Sequence, residues 1–152
     1  MIWPTADLDA VARLRVLAAA LPGAFVEEAE VEAPFASVWD VAADLEHELP
    51  QIARNIRSLR SVSADGPRFE VDIVGHFGLH ERFEVVLEPG WCVMQSRRVV
   101  GGMAAAPAAN GGTRFAFLGA LRGPFAKAVS PLGRPIGRGL VSRLRKRVEA
   151  KR

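Results

Sequence analysis

Apolar and polar positions divide the chain into helical ends and a strand-rich middle. Leu8, Val11, Ala12, Leu14 and Ala18 to Leu21 recur at helical spacing. Thr5 or Asp7 is placed to cap that helix and Pro22-Gly23 to stop it. Residues 24–33 predict a first strand, with Glu30-Val31-Glu32-Ala33 alternating. Pro34 ends the strand, because proline fixes φ and lacks the N–H that a ladder needs. Val38, Val41, Ala42 and Leu45 then keep the i, i+3, i+4, i+7 rule and predict a helix over 36–45, with Trp39 just off its stripe. Pro50 predicts a stop, since the residue before a proline avoids the α region, and residues 51–54 predict a second short helical turn.

Next comes a run of strands. Residues 55–64 carry Ile56, Leu59 and Val62 in a strand whose three-residue spacing, repeated by Arg54, Arg57 and Arg60, is irregular for a sheet. After the Asp65-Gly66-Pro67 turn, Phe69, Val71 and Ile73 alternate with Glu70 and Asp72. After a reversal at Phe77-Gly78-Leu79, Phe83, Val85 and Leu87 alternate with Arg82, Glu84 and Glu88. Pro89-Gly90 predicts a turn into a strand from Trp91 to Val100, broken by Gly101-Gly102 and followed by a short strand from Met103 to Ala106. Asn110-Gly111-Gly112 is a hairpin signal, and Thr113 to Leu121 forms the last strand with Phe115 and Phe117 on one face. Ile136, Leu140, Leu144 and Val148, with Val141 beside them, stripe a closing helix. Pro131, Gly133 and Pro135 predict a kink or division near its start. One strand, two short helices, about six strands and a helix, without βαβ spacing, predict an α+β fold with an antiparallel sheet.

Four segments in order, Ala-Pro-Phe-Ala-Ser-Val-Trp (33–39), Glu88-Pro89-Gly90-Trp91, Gly112-Thr113-Arg114 and the helix end from Leu144 to Glu149, resemble the START-like (SRPBCC) superfamily. That group holds Bet v 1-like, polyketide cyclase/dehydrase and lipid-transport proteins. The resemblance implies a helix-grip fold, in which a curved antiparallel sheet wraps a long C-terminal helix around a hydrophobic cavity. It divides the chain into an N-terminal helical extension, residues 1–23, and a helix-grip domain, residues 24–152. The extension would pack outside the sheet or mediate dimerisation, so monomer and homodimer both stay open.

Composition narrows the class. At 152 residues, 49% hydrophobic and 24% charged, the chain fits one globular domain. A lone cysteine, Cys92, excludes an internal disulfide framework and points to a cytoplasmic setting. The apolar run from Val16 to Leu21 is far below the ~20 residues of a membrane span, and a first charge at Asp7 leaves no basic start for a signal peptide. Charge is lopsided. From Arg122 onward ten Lys or Arg face one acid, Glu149, so the tail carries +9 and residues 1–121 carry −6, giving +3 in all. A basic helix packed on an acidic sheet accounts for this; the sharper alternative is peripheral contact with an anionic membrane surface. Nucleic acid is not expected, because the tail has one aromatic, Phe125, and no base-reading motif.

Strand parity places Phe69, Val71, Ile73, Phe83, Val85, Leu87, Phe115 and Phe117 inward, and Glu70, Asp72, Glu84 and Glu88 outward. With Trp39, Met94, Ile136, Leu140 and Leu144 the inward residues form the expected cavity wall. An apolar wall suits binding by burial, at ~25 cal/mol per Å². Glu81 shares the inward parity of Phe83 and is the carboxylate to watch for acid–base work, with His76, His80 and Arg97 as further polar candidates. His76 and His80 flank Gly78 without a third ligand, so no metal or cofactor is expected. His47 reads as an exposed turn residue and Cys92 as a small core residue. The leading expectation is binding or transport of a hydrophobic small molecule (a lipid, polyketide or isoprenoid-like compound). The alternatives are a polyketide aromatase/cyclase and a non-catalytic module whose basic helix docks on an anionic surface.

Overall fold

A computed structural model describes residues 8–78, 80–124, 126 and 133–151, with backbone only at 64, 65, 77, 133 and 134. In chain order the elements are α1 (Ala10–Ala19), β1 (Phe25–Val31), α2 (Phe35–Ala43), α3 (Leu45–Ile52), β2 (Ile56–Asp65), β3 (Arg68–Gly75), β4 (His80–Glu88), β5 (Trp91–Gln95), β6 (Val99–Pro107), β7 (Thr113–Leu121) and α4 (Gly133–Ala150). The strands make one antiparallel sheet in the order β1-β7-β6-β5-β4-β3-β2. The sheet is curved, and its inner face packs on α2, α3 and α4 around Val38, Val71, Val85, Phe115 and Leu144. Its outer face carries a second cluster, Val11 and Leu14 of α1 against Val100, Ala104, Ala116 and Leu118. The α1 helix therefore lies outside the sheet, where two ion pairs, Arg15–Glu28 and Arg114–Asp9, tie it to β1 and β7.

Several local expectations change. Asp9 caps α1 by accepting from the Ala12 N–H at 2.8 Å; Thr5 and Asp7 lie outside the described residues. Pro50 does not stop the chain but sits inside α3. It falls in the last turn, where it removes one backbone bond, while burial of Leu45, Leu49 and Ile52 holds the helix. The three-residue spacing in β2 has a plain cause: the pairing with β3 shifts register between Ile56 and Ser58 and again between Ser61 and Ser63. Each bulge adds a residue, so Ile56 and Leu59 both face Gly75 and Ile73 across the ladder, and Val62 is left exposed.

The expected long strand from Trp91 to Val100 is two strands. Ser96 Oγ accepts from the N–H groups of Arg98 and Val99 and closes a turn there. Gly101 and Gly102, expected to break the strand, lie within β6. Gly90 (φ 76°) and Gly111 (φ 84°) fulfil their turn roles in left-handed backbone. The reversal after β3 is a 3-10 turn over His76–Gly78, with Leu79 outside the described residues. The α4 helix runs without division through Pro135, whose missing N–H falls in a first turn that has no intrahelical partner to lose; Pro131 and Phe125 lie outside the described residues. Thr113 ties the Ala-Pro corner to β7, its buried hydroxyl donating to the Ala33 carbonyl at 2.7 Å.

Candidate functional site

A cavity of about 470 Å³ lies between the inner face and the helices, in the half of the sheet where β1 begins and β7 ends. Its floor is set by glycine. Gly101 and Gly119 pair across β6 and β7, and a side chain at Gly101 would meet open space, with only the Leu118 carbonyl 4.0 Å away. At Gly119 the room is taken instead by the Phe25 ring, within 2.6 Å of where a Cβ would stand. Gly137 of α4 approaches the same ring and the Glu27 Cβ, so the helix seats closely on β1 beside the cavity. Leu49 and Ala53 close the opposite side. At the mouth Leu121 and Ile136 remain 41% and 52% exposed.

Of the residues expected in the wall, Ile73, Phe83, Met94, Phe117, Ile136 and Leu140 line this space. Val71, Val85, Phe115 and Leu144 are instead fully packed in the core of the other half. Phe69 and Leu87 pack half-buried at its edge, and Trp39 stacks on Phe35 with ring centres 6.4 Å apart. Parity assigns a side chain to a face of the sheet but says nothing of its position along the strand, and α2, α3 and the C-terminal half of α4 fill the second half.

Glu81 lies in the cavity wall, opposite Ile73 in the ladder, and Asn55 is a second polar residue there. His76, His80 and Arg97 do not join them. All three are exposed, His80 on the outward parity of Asp72 and Arg82 and Arg97 in the β5–β6 turn. Cys92 lines the cavity but is wholly buried, and burial pushes its thiol up to about 12, so it holds its proton at neutral pH. Among the described residues no group of His, Cys, Asp and Glu could hold a metal ion.

The basic helix is used within the fold. Arg143 donates to the Ile52 carbonyl and Arg145 to that of Glu30. Glu48, only 2% exposed, accepts two bonds from Arg147 at 2.7 and 3.0 Å, with Lys151 also 3.0 Å away. These bonds, the Arg147 ones foremost, hold its carboxyl down at about 2 against desolvation. His47, by contrast, is exposed and bonds Asp44, which raises its pKa. Sequence reasoning missed Glu48, Phe25, Asn55 and the glycine floor. A signal existed for two of them: Glu48 falls on the buried stripe Leu45, Leu49, Ile52, and Gly101 and Gly119 stand in strands where they make no turn.

No family model matches the chain, and no curated protein matches it. Solved structures do. A Thermus thermophilus protein, TTHA0849, superposes with a TM-score of 0.64 at 22% identity, over 84% of this chain and 98% of that one. A START superfamily protein from Mycobacterium smegmatis gives 0.65 at 16% identity, over 85% and 99%. The fold is START-like. A further match is the Zhui aromatase/cyclase from Streptomyces sp. R1128, with a TM-score of 0.59 at 14% identity, over 83% and 93%. In this START-like fold α4 packs on the inner face of the sheet and α1 on the outer face.

Proposed function

We propose that the protein binds or carries a hydrophobic small molecule in the cavity between the sheet and α4. The reading is carried by an open space of about 470 Å³ whose lining is apolar apart from Glu81, Asn55 and backbone, a size and character suited to a compact organic ligand. A lipid, polyketide or isoprenoid-like body covering ~300 Å² of apolar surface would gain roughly 7 kcal/mol before the cost of association. A native mass spectrum after incubation with acyl, quinone and aromatic polyketide compounds, with thermal shifts in parallel, tests it. One compound should bind at one-to-one stoichiometry and raise the melting temperature; no adduct and no shift across all three classes would overturn it.

A second reading is an aromatase/cyclase-type enzyme. Glu81 in the wall favours it, since a carboxylate beside a bound polyketide could move a proton, and one START-like neighbour is named an aromatase/cyclase. Cyclisation unaffected by Glu81→Gln would remove it. The docking-module reading draws less support, because Arg143, Arg145, Arg147 and Lys151 already serve contacts within the fold.

A further inference from the structure

Glu81 has a setting that the burial of an apolar ligand does not require. A carboxylate in an apolar wall is costly unless water or a partner satisfies it. Yet among the described residues no hydrogen bond or ion pair engages Glu81. Its strand neighbour Arg82 points to the other face and spends itself on Asp72 and Glu70. No side-chain oxygen in the described structure is sealed from solvent without a partner, so the Glu81 carboxylate stays open to solvent on a residue that lines the cavity. On α4, Arg143 is committed to the Ile52 carbonyl and Arg147 to Glu48. Among the described lining residues Glu81 is the one charged side chain; Cys92 is neutral and Asn55 supplies an amide.

Resting on the binding reading above, we propose that Glu81 selects the ligand's polar group: an apolar body bearing a hydroxyl, phenol or ammonium is accepted, and one bearing a carboxylate is rejected. The chemistry is asymmetric. A hydroxyl or ammonium donates to the acceptor-only carboxylate, and an ammonium adds charge attraction that low-dielectric walls strengthen. A ligand carboxylate would bring a like charge into the same space, with no cation among the described lining residues to offset it. Free fatty acids and other carboxylates are thereby disfavoured; long-chain alcohols, phenolic polyketides and amphiphilic amines are favoured.

Four probes on one ring system test it: naphthalene, 2-naphthol, 2-naphthylmethylammonium and 2-naphthoate, titrated at neutral pH against wild type, Glu81→Gln and Gly101→Leu. Wild type should bind naphthol and the ammonium at least tenfold more tightly than naphthoate. Glu81→Gln, of the same shape, should lose the ammonium preference about tenfold and narrow the naphthoate deficit by a similar factor. Gly101→Leu, which fills the floor, should weaken all four together and so places them in the cavity. If naphthalene binds but naphthoate matches naphthol in wild type, or the order is unchanged in Glu81→Gln, the selectivity is refuted while the cavity reading stands. If no probe binds, naphthalene included, the cavity reading falls and the selectivity with it.

Discussion

At Glu48 a buried carboxylate joins α3 to the end of α4 through Arg147 and Lys151, which are 37% and 47% exposed. Its folded value of about 2 lies below the ordinary 4.5. A depressed carboxylate contributes stability that is complete above about pH 4.5 and lost as pH falls toward 2. With half-exposed partners screened by water, the contribution is on the order of 2–3 kcal/mol. Glu48→Gln should therefore lower the urea-unfolding free energy by about that amount at pH 7, and the gap to wild type should shrink between pH 5 and pH 2. A gap that stays constant with pH would show that the pair acts by packing alone. The sequence carried this residue in plain view, on the stripe Leu45, Glu48, Leu49, Ile52, but a helix was not expected there because Pro50 reads as a stop.

Among the elements, β6 decides most. Its two adjacent glycines face opposite ways: Gly101 opens the cavity floor, and Gly102 receives Leu14 of α1, whose Cδ1 is 2.9 Å from where a Cβ would stand. Leu14→Ala should cost about 3 kcal/mol in thermal or urea unfolding, as a fully buried leucine does. Gly102→Ala should cost less in the Leu14→Ala background than alone, because the colliding methyl is gone. Equal costs in both backgrounds would mean that α1 does not seat on that glycine. The helix spacing of Val11 and Leu14 and the alternation in β3 and β4 were legible, since one face of each is buried, whereas β7 is buried on both faces. The β2 bulges and the β5–β6 turn were not. A bulge breaks the period that a sequence reading relies on, and the Ser96 turn uses a hydroxyl on backbone N–H groups where no glycine or proline announces it.

For the whole molecule, the antiparallel α+β arrangement was legible from element order and periodicity, the terminal helix against the sheet followed from the START-like resemblance, and the outer position of α1 was one of two alternatives that the sequence left open. The extent of the cavity was not, because it depends on which half of the inner face the helices fill. Val71, Val85 and Phe115 share parity with residues of the wall yet lie in the packed half; Gly101, read as a breaker, leaves the space open, and Gly119, passed over, seats the Phe25 ring beside it. The proposed function rests on that space being available to a ligand. Binding of an apolar fluorescent probe such as 1-aminoanthracene to wild type and Gly101→Leu tests this most directly, with melting temperature recorded on the same samples. One-to-one binding by wild type, weakened at least tenfold in a Gly101→Leu protein whose melting temperature is equal or higher, is the expected result. Equally tight binding by a folded Gly101→Leu protein would place the probe elsewhere and contradict the account.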